Sequence, residues 1–80
     1  MAIEILSTTI KPAGGDDMRV EILLSDNANI EHAGEVMSLA VRVPRQGENP
    51  SLDDIRRAAL RRARTAIDEC IAALAPHQPI

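Results

Sequence analysis

Five arginines, Arg56, Arg57, Arg61, Arg62 and Arg64, fall within nine positions of the stretch DDIRRAALRRARTAIDEC. Guanidinium groups at that density can grip phosphate or carboxylate through forked, charge-assisted hydrogen bonds. On a helix Arg57, Arg61 and Arg64 fall within about 60° of one another. These three form the candidate anion-binding or partner-binding face. Arg56 and Arg62 sit nearer the borders, where their stems can cover apolar surface. A plainer account is a solvated helix face laced with ion pairs. Asp53 lies four residues before Arg57 and Asp68 four after Arg64, and such pairs stabilise a helix by a few tenths of a kcal/mol, on the order of 0.3.

The other reactive side chains are few. Cys70 falls on the apolar side of the same helical stretch and reads as inert packing. His32 sits in a polar segment between Glu31 and Glu35, and His77 between two prolines near the end; neither has metal-ligand spacing. Ser7, Thr8 and Thr9 read as strand residues with no base to activate them. Gly14-Gly15 reads as a turn. The chain has no phosphate-binding loop, dinucleotide fingerprint, H-E-x-x-H or C-x-x-C. These residues predict a non-enzymatic protein with no cofactor.

The elements that must position the arginines belong to a small chain. Eighty residues make one domain, and a domain of that size buries only about 60% of its unfolded surface. One cysteine allows no internal disulfide, and there is no Phe, Tyr or Trp. The core must come from Ile, Leu, Val, Met and Ala, which makes it thin and favours a partner chain. No apolar run approaches the roughly 18 residues of a membrane span. The start, MAIEIL, does not resemble a signal peptide. A lone thiol without an export signal predicts a cytoplasmic protein. Charge is uneven: residues 1–54 hold ten acids and four bases, a net of −6, and residues 55–80 hold five bases and two acids, a net of +3. The pI of about 5.2 and the lack of stacking aromatics argue against dedicated nucleic-acid binding.

Alternation of apolar and polar residues predicts three strands. They are AIEILSTTI (2–10), DMRVEILLS (17–25) and EVMSLAVRV (35–43). In the second, Met18, Val20, Ile22 and Leu24 share a face; in the third, Met37, Leu39, Val41 and Val43 do. In the first the phase is imperfect, so either a bulge shifts it or both faces are partly covered. Ser51 then offers an N-cap with Asp54 in the capping-box position, and a helix runs from about Leu52 to about Ala75, where Pro76 stops it. Its apolar stripe has Leu52, Ala59, Ala63, Ala66 and Cys70 at the centre, and Ile55, Leu60, Ile67, Ile71 and Leu74 at the edges. Residues 76–80 read as a loose tail.

The predicted fold is α+β: a three-stranded antiparallel sheet with one long C-terminal helix on one face. The opposite sheet face should carry Leu6, Ile10, Leu23, Val36 and Ala40, apolar enough to predict an interface, most simply that of a two-fold homodimer. The leading functional expectation is a non-enzymatic module that homodimerises through its sheet and binds another protein. The order of elements, with PSLDDIRRAALRRARTAID opening the helix, loosely resembles the small HicB-type antitoxin domains, over the last 30 or so residues. Those domains also run three strands into a helix beginning Ser/Thr-Leu-x-Asp/Glu. This chain departs from them in lacking aromatic strands and a Pro-Gly-Cys-like segment. The alternative reading is therefore an antitoxin-like or accessory nucleic-acid-binding protein using Arg57, Arg61 and Arg64.

Overall fold

The computed structural model describes residues 3–26 and 35–74. The chain runs β1 (Glu4–Pro12), β2 (Met18–Ser25), β3 (Val36–Val43) and α1 (Leu52–Leu74). The strands form one antiparallel sheet in the order β1-β2-β3, and α1 packs on it, mostly over β3 and secondarily over β2. This is the α+β, βββα architecture expected from the pattern. Ile30, His32 and His77, and the expected tail, lie outside the described residues.

Local chemistry sets the boundaries. β1 extends through Lys11 and Pro12, so the first turn shrinks to Ala13–Asp17. It closes with Ala13 N–H on the Asp17 carbonyl (3.1 Å) and Asp17 N–H on the Gly14 carbonyl (3.0 Å). Gly14 and Gly15 both sit at positive φ, 100° and 57°, which a side chain would disfavour. The helix starts on a capping box. Asp54 N–H donates to Ser51 Oγ (3.0 Å), and Ser51 N–H donates to Asp54 Oδ2 (3.3 Å). Aspartate thus does the work usually given to glutamate.

Facing pairs fix the two sides of the sheet. Val20 stands opposite Ile10 and Val41, Ile22 opposite Thr8 and Leu39, and Leu24 opposite Ile5 and Met37. These residues share the helix-bearing side, because directly opposed residues in an antiparallel ladder project to the same face. The register of β1 shifts between Ile5 and Ser7. Leu6 is the extra residue of that bulge, and the strand beyond it is turned over by one position.

Val20, Ile22, Leu24 and Val43 from the sheet and Ile55 and Ala59 from the helix form the buried core, with Ile5, Met18, Leu39, Val41 and Leu60 packed around it. Ala59 is fully enclosed and Ala63 nearly so, so small residues let the helix axis approach the strands. The stripe does not stay covered. Ile67, Ile71 and Leu74 are 55%, 57% and 78% exposed, and Cys70 is exposed as well. The expectation that Cys70 is buried packing is therefore corrected. So is the placement of Leu52 and Leu74 in the core. A helix of 23 residues is about 35 Å long. A sheet of three strands is only about 10 Å across between its outer strand axes. A helix crossing such a sheet runs out of floor.

Candidate interaction surfaces

Three surfaces could meet a partner: the arginine face, the open side of the sheet, and the apolar surface beside the helix. On the helix, the first two arginines are engaged. Arg56 Nε donates to Thr8 Oγ1 (2.9 Å), reaching across to β1, and its Nη1 lies 3.4 Å from Asp53 Oδ1. Arg57 Nη1 lies 3.5 Å from Asp54 Oδ1. Both ion pairs are i,i+3, in place of the i,i+4 pairs expected for Arg57 and Arg64. Among the described residues, Arg61 and Arg64 make no ion pair. Arg57, Arg61 and Arg64 do come together, rimming an open cleft of about 350 Å³ with Ile5 and Leu60 among its lining residues. Asp53 and Arg56 line it too, so the cleft combines four arginines and one carboxylate with apolar side chains, a lining that favours an acidic partner with an apolar anchor.

The open side of the sheet is more polar than expected. Its rows are Lys11, Arg19 and Arg42; Thr9, Glu21 and Ala40; Ser7, Leu23 and Ser38; and Glu4, Ser25 and Val36. Leu23, Val36 and Ala40 lie on this side as expected. Ile10 does not: opposed to Val20, it shares the helix-bearing side, because the bulge turned the strand over after Leu6. Leu6 itself sits at the bulge. The five residues thus do not form one patch.

Ion pairs organise the basic end of this side. Arg19 Nε lies 3.0 Å from Glu21 Oε2 and Lys11 Nζ 3.8 Å from the same oxygen. Arg42 Nε lies 2.7 Å from Asp17 Oδ2, clamping the first turn to β3. The Arg19 hydrogen bond, with the Lys11 charge beside it, holds the Glu21 carboxyl below its ordinary value of 4.5. Among the described residues no group of three His, Cys, Asp or Glu converges as metal ligands do, and no helix is long and apolar enough to cross a membrane.

Exposed apolar side chains are spread over the second half of the helix and both outer strands, with Ile3, Leu6 and Ile10 on the β1 side. Beyond Ile67, Ile71 and Leu74 they include Met37 (46% exposed), opposite the core residue Leu24, and Val36 (58%) at the start of β3. Ala66 and Arg62 share a cleft with Val41 and Pro44, which places this part of the helix at the β3 edge. Sequence periodicity assigned Met37, Ile67 and Ile71 to the core. The signal for their exposure was the mismatch between helix length and sheet width. No family model, curated protein or solved structure matches this chain.

Proposed function

We propose that the protein is a small, non-enzymatic interaction module that works as a homodimer in the cytoplasm. The observation that carries this reading is the uncovered apolar run Ile67, Ile71 and Leu74, on one flank of the apolar stripe of a helix whose first half is packed. Contiguous apolar surface on a small protein marks an interface. The lowered carboxyl of Glu21 is set by surface ion pairs with Arg19 and Lys11, as suits a scaffold. An exposed, unpaired Cys70 suits a reducing compartment. Sedimentation velocity from micromolar to near-millimolar protein tests the reading. The dimer mass is expected, and Ile67→Glu with Ile71→Glu should return the monomer. A wild type that remains monomeric throughout removes the proposal.

A second reading is favoured by one observation: Arg57, Arg61 and Arg64 line one cleft with Ile5 and Leu60, and among the described residues Arg61 and Arg64 make no ion pair. That site would receive an acidic protein segment or, in an antitoxin-like role, nucleic acid. Binding of nucleic acid through so few charges would be weak and salt-dependent. A mobility shift at about 50 mM salt that Arg57→Glu with Arg61→Glu abolishes would support the nucleic-acid form. No shift would leave the acidic-protein form.

A further inference from the structure

We propose that two copies join β3 to β3 about a two-fold axis at Leu39, making one continuous six-stranded antiparallel sheet with both helices on the same side. This rests on the homodimer reading and adds its geometry.

The two edges of the sheet differ. The β1 edge carries a bulge at Leu6, a lysine at position 11 and Pro12, all of which discourage further pairing. The β3 edge is eight residues, VMSLAVRV, with no proline, lysine or bulge. It is a regular strand, and among the described residues its outward backbone groups have no strand partner.

Which groups face outward follows from one bond. Asp26 N–H donates to the Glu35 carbonyl (3.2 Å), so Asp26 and Glu35 are a hydrogen-bonded pair. Hydrogen-bonded and non-hydrogen-bonded pairs alternate along an antiparallel ladder. Met37, Leu39, Val41 and Val43 therefore turn their backbone groups toward β2. Val36, Ser38, Ala40 and Arg42 turn theirs outward.

Symmetry then selects the register. Opposed residues must share a face, so the axis must pass through a residue position. With the axis at Leu39, all four outward residues are engaged: Val36 opposite the partner's Arg42, and Ser38 opposite the partner's Ala40. Moving the axis to Ala40 puts Val36 opposite the partner's Pro44, which has no N–H to donate. Moving it to Ser38 leaves Arg42 beyond the end of the partner's strand. On the helix-bearing side the Leu39 register sets exposed Met37 against the partner's Val41.

The helix reaches the same edge. Ala66 shares a cleft with Val41 of β3 and with Pro44 just after it, and beyond it Ile67, Ile71 and Leu74 are exposed. Across that edge they would meet the partner's β3 and helix.

Disulfide trapping tests the geometry in the full chain, with Cys70→Ala removing the native thiol. Opposed Cα atoms in a non-hydrogen-bonded pair are about 4.5 Å apart, within disulfide reach. Leu39→Cys should therefore give mostly covalent dimer under mild oxidation, and Thr9→Cys on the β1 edge should not. Because Leu39 is half-buried, a second pair guards against misfolding: Ser38→Cys mixed with Ala40→Cys, both exposed, should cross-link as a mixture far better than either alone. A sedimenting dimer that traps at none of these positions overturns the β3 geometry and leaves the homodimer reading standing. A monomer at every concentration overturns both.

Discussion

Ile71→Ala separates an interface residue from a core residue on the same helical stripe. In the isolated protomer 57% of Ile71 is exposed, so truncation should cost the monomer little. Burying an isoleucine completely is worth about 1.5–3 kcal/mol, and the fraction still outside corresponds to about 1–1.7 kcal/mol per copy. Two-fold symmetry doubles this to about 2–3 kcal/mol per dimer, or a dissociation constant raised about 30- to 150-fold. The assay is sedimentation or light scattering over a dilution series, paired with thermal melts at low and high protein concentration. The variant should match the wild type in dilute solution, where both are monomeric, and melt earlier in concentrated solution, where only the wild type is fully associated. A dissociation constant within threefold of wild type would show that this end of the helix meets solvent in the working protein. An equal loss of Tm at both concentrations would place Ile71 in the protomer's own core, contrary to its exposure.

Ile22→Ala should behave in the opposite way. Ile22 is 2% exposed at the centre of β2, so the loss should be about 2–5 kcal/mol at every concentration, read by urea unfolding. Ser51→Ala removes the acceptor for Asp54 N–H and should cost about 1 kcal/mol, or about 4–8 °C in Tm, with Ser51→Asp restoring it. Glu21 adds a pH dependence whose sign is set. Its folded pKa is depressed by Arg19 and Lys11, so its contribution is present above the unfolded value near 4.5 and is lost as pH falls through the lower folded value. Unfolding curves from pH 6 down to pH 3 should decline less steeply for Glu21→Gln than for wild type, and parallel declines would refute the assignment.

The sheet and helix were legible because their signals are local. Alternation in MRVEILLS and VMSLAVRV, broken only by Leu23, Val36 and Ala40, favours one buried face, and the Gly14-Gly15 pair and the Ser51–Asp54 box mark the ends of elements by chemistry that needs no distant contact. β1 was ambiguous for an equally physical reason. Its apolar residues at positions 3, 5, 6 and 10 fit no single period-2 phase, and only pairing with β2 decides where the extra residue goes. That decision moved Ile10 from the open side to the helix-bearing side. The arginine pairings were also settled by tertiary placement. Arg56 turns toward Thr8, 48 residues away in sequence, a contact that no helical wheel contains.

The helix stripe carries the deeper lesson. Periodicity reports which side of a helix avoids water, and it is silent about what supplies the cover. From Ile55 to Ala63 the cover is the protomer's own sheet. From Ile67 to Leu74 the flank of the stripe continues apolar, and its side chains are exposed. Had this stretch evolved only to face solvent, Ile67, Ile71 and Leu74 would gain solubility from polar replacement at no cost to the protomer. Their presence, next to a β3 edge bare of the devices that protect β1, argues that one continuous stripe serves two bodies: its first half closes the core, and its second half is held ready for a neighbour.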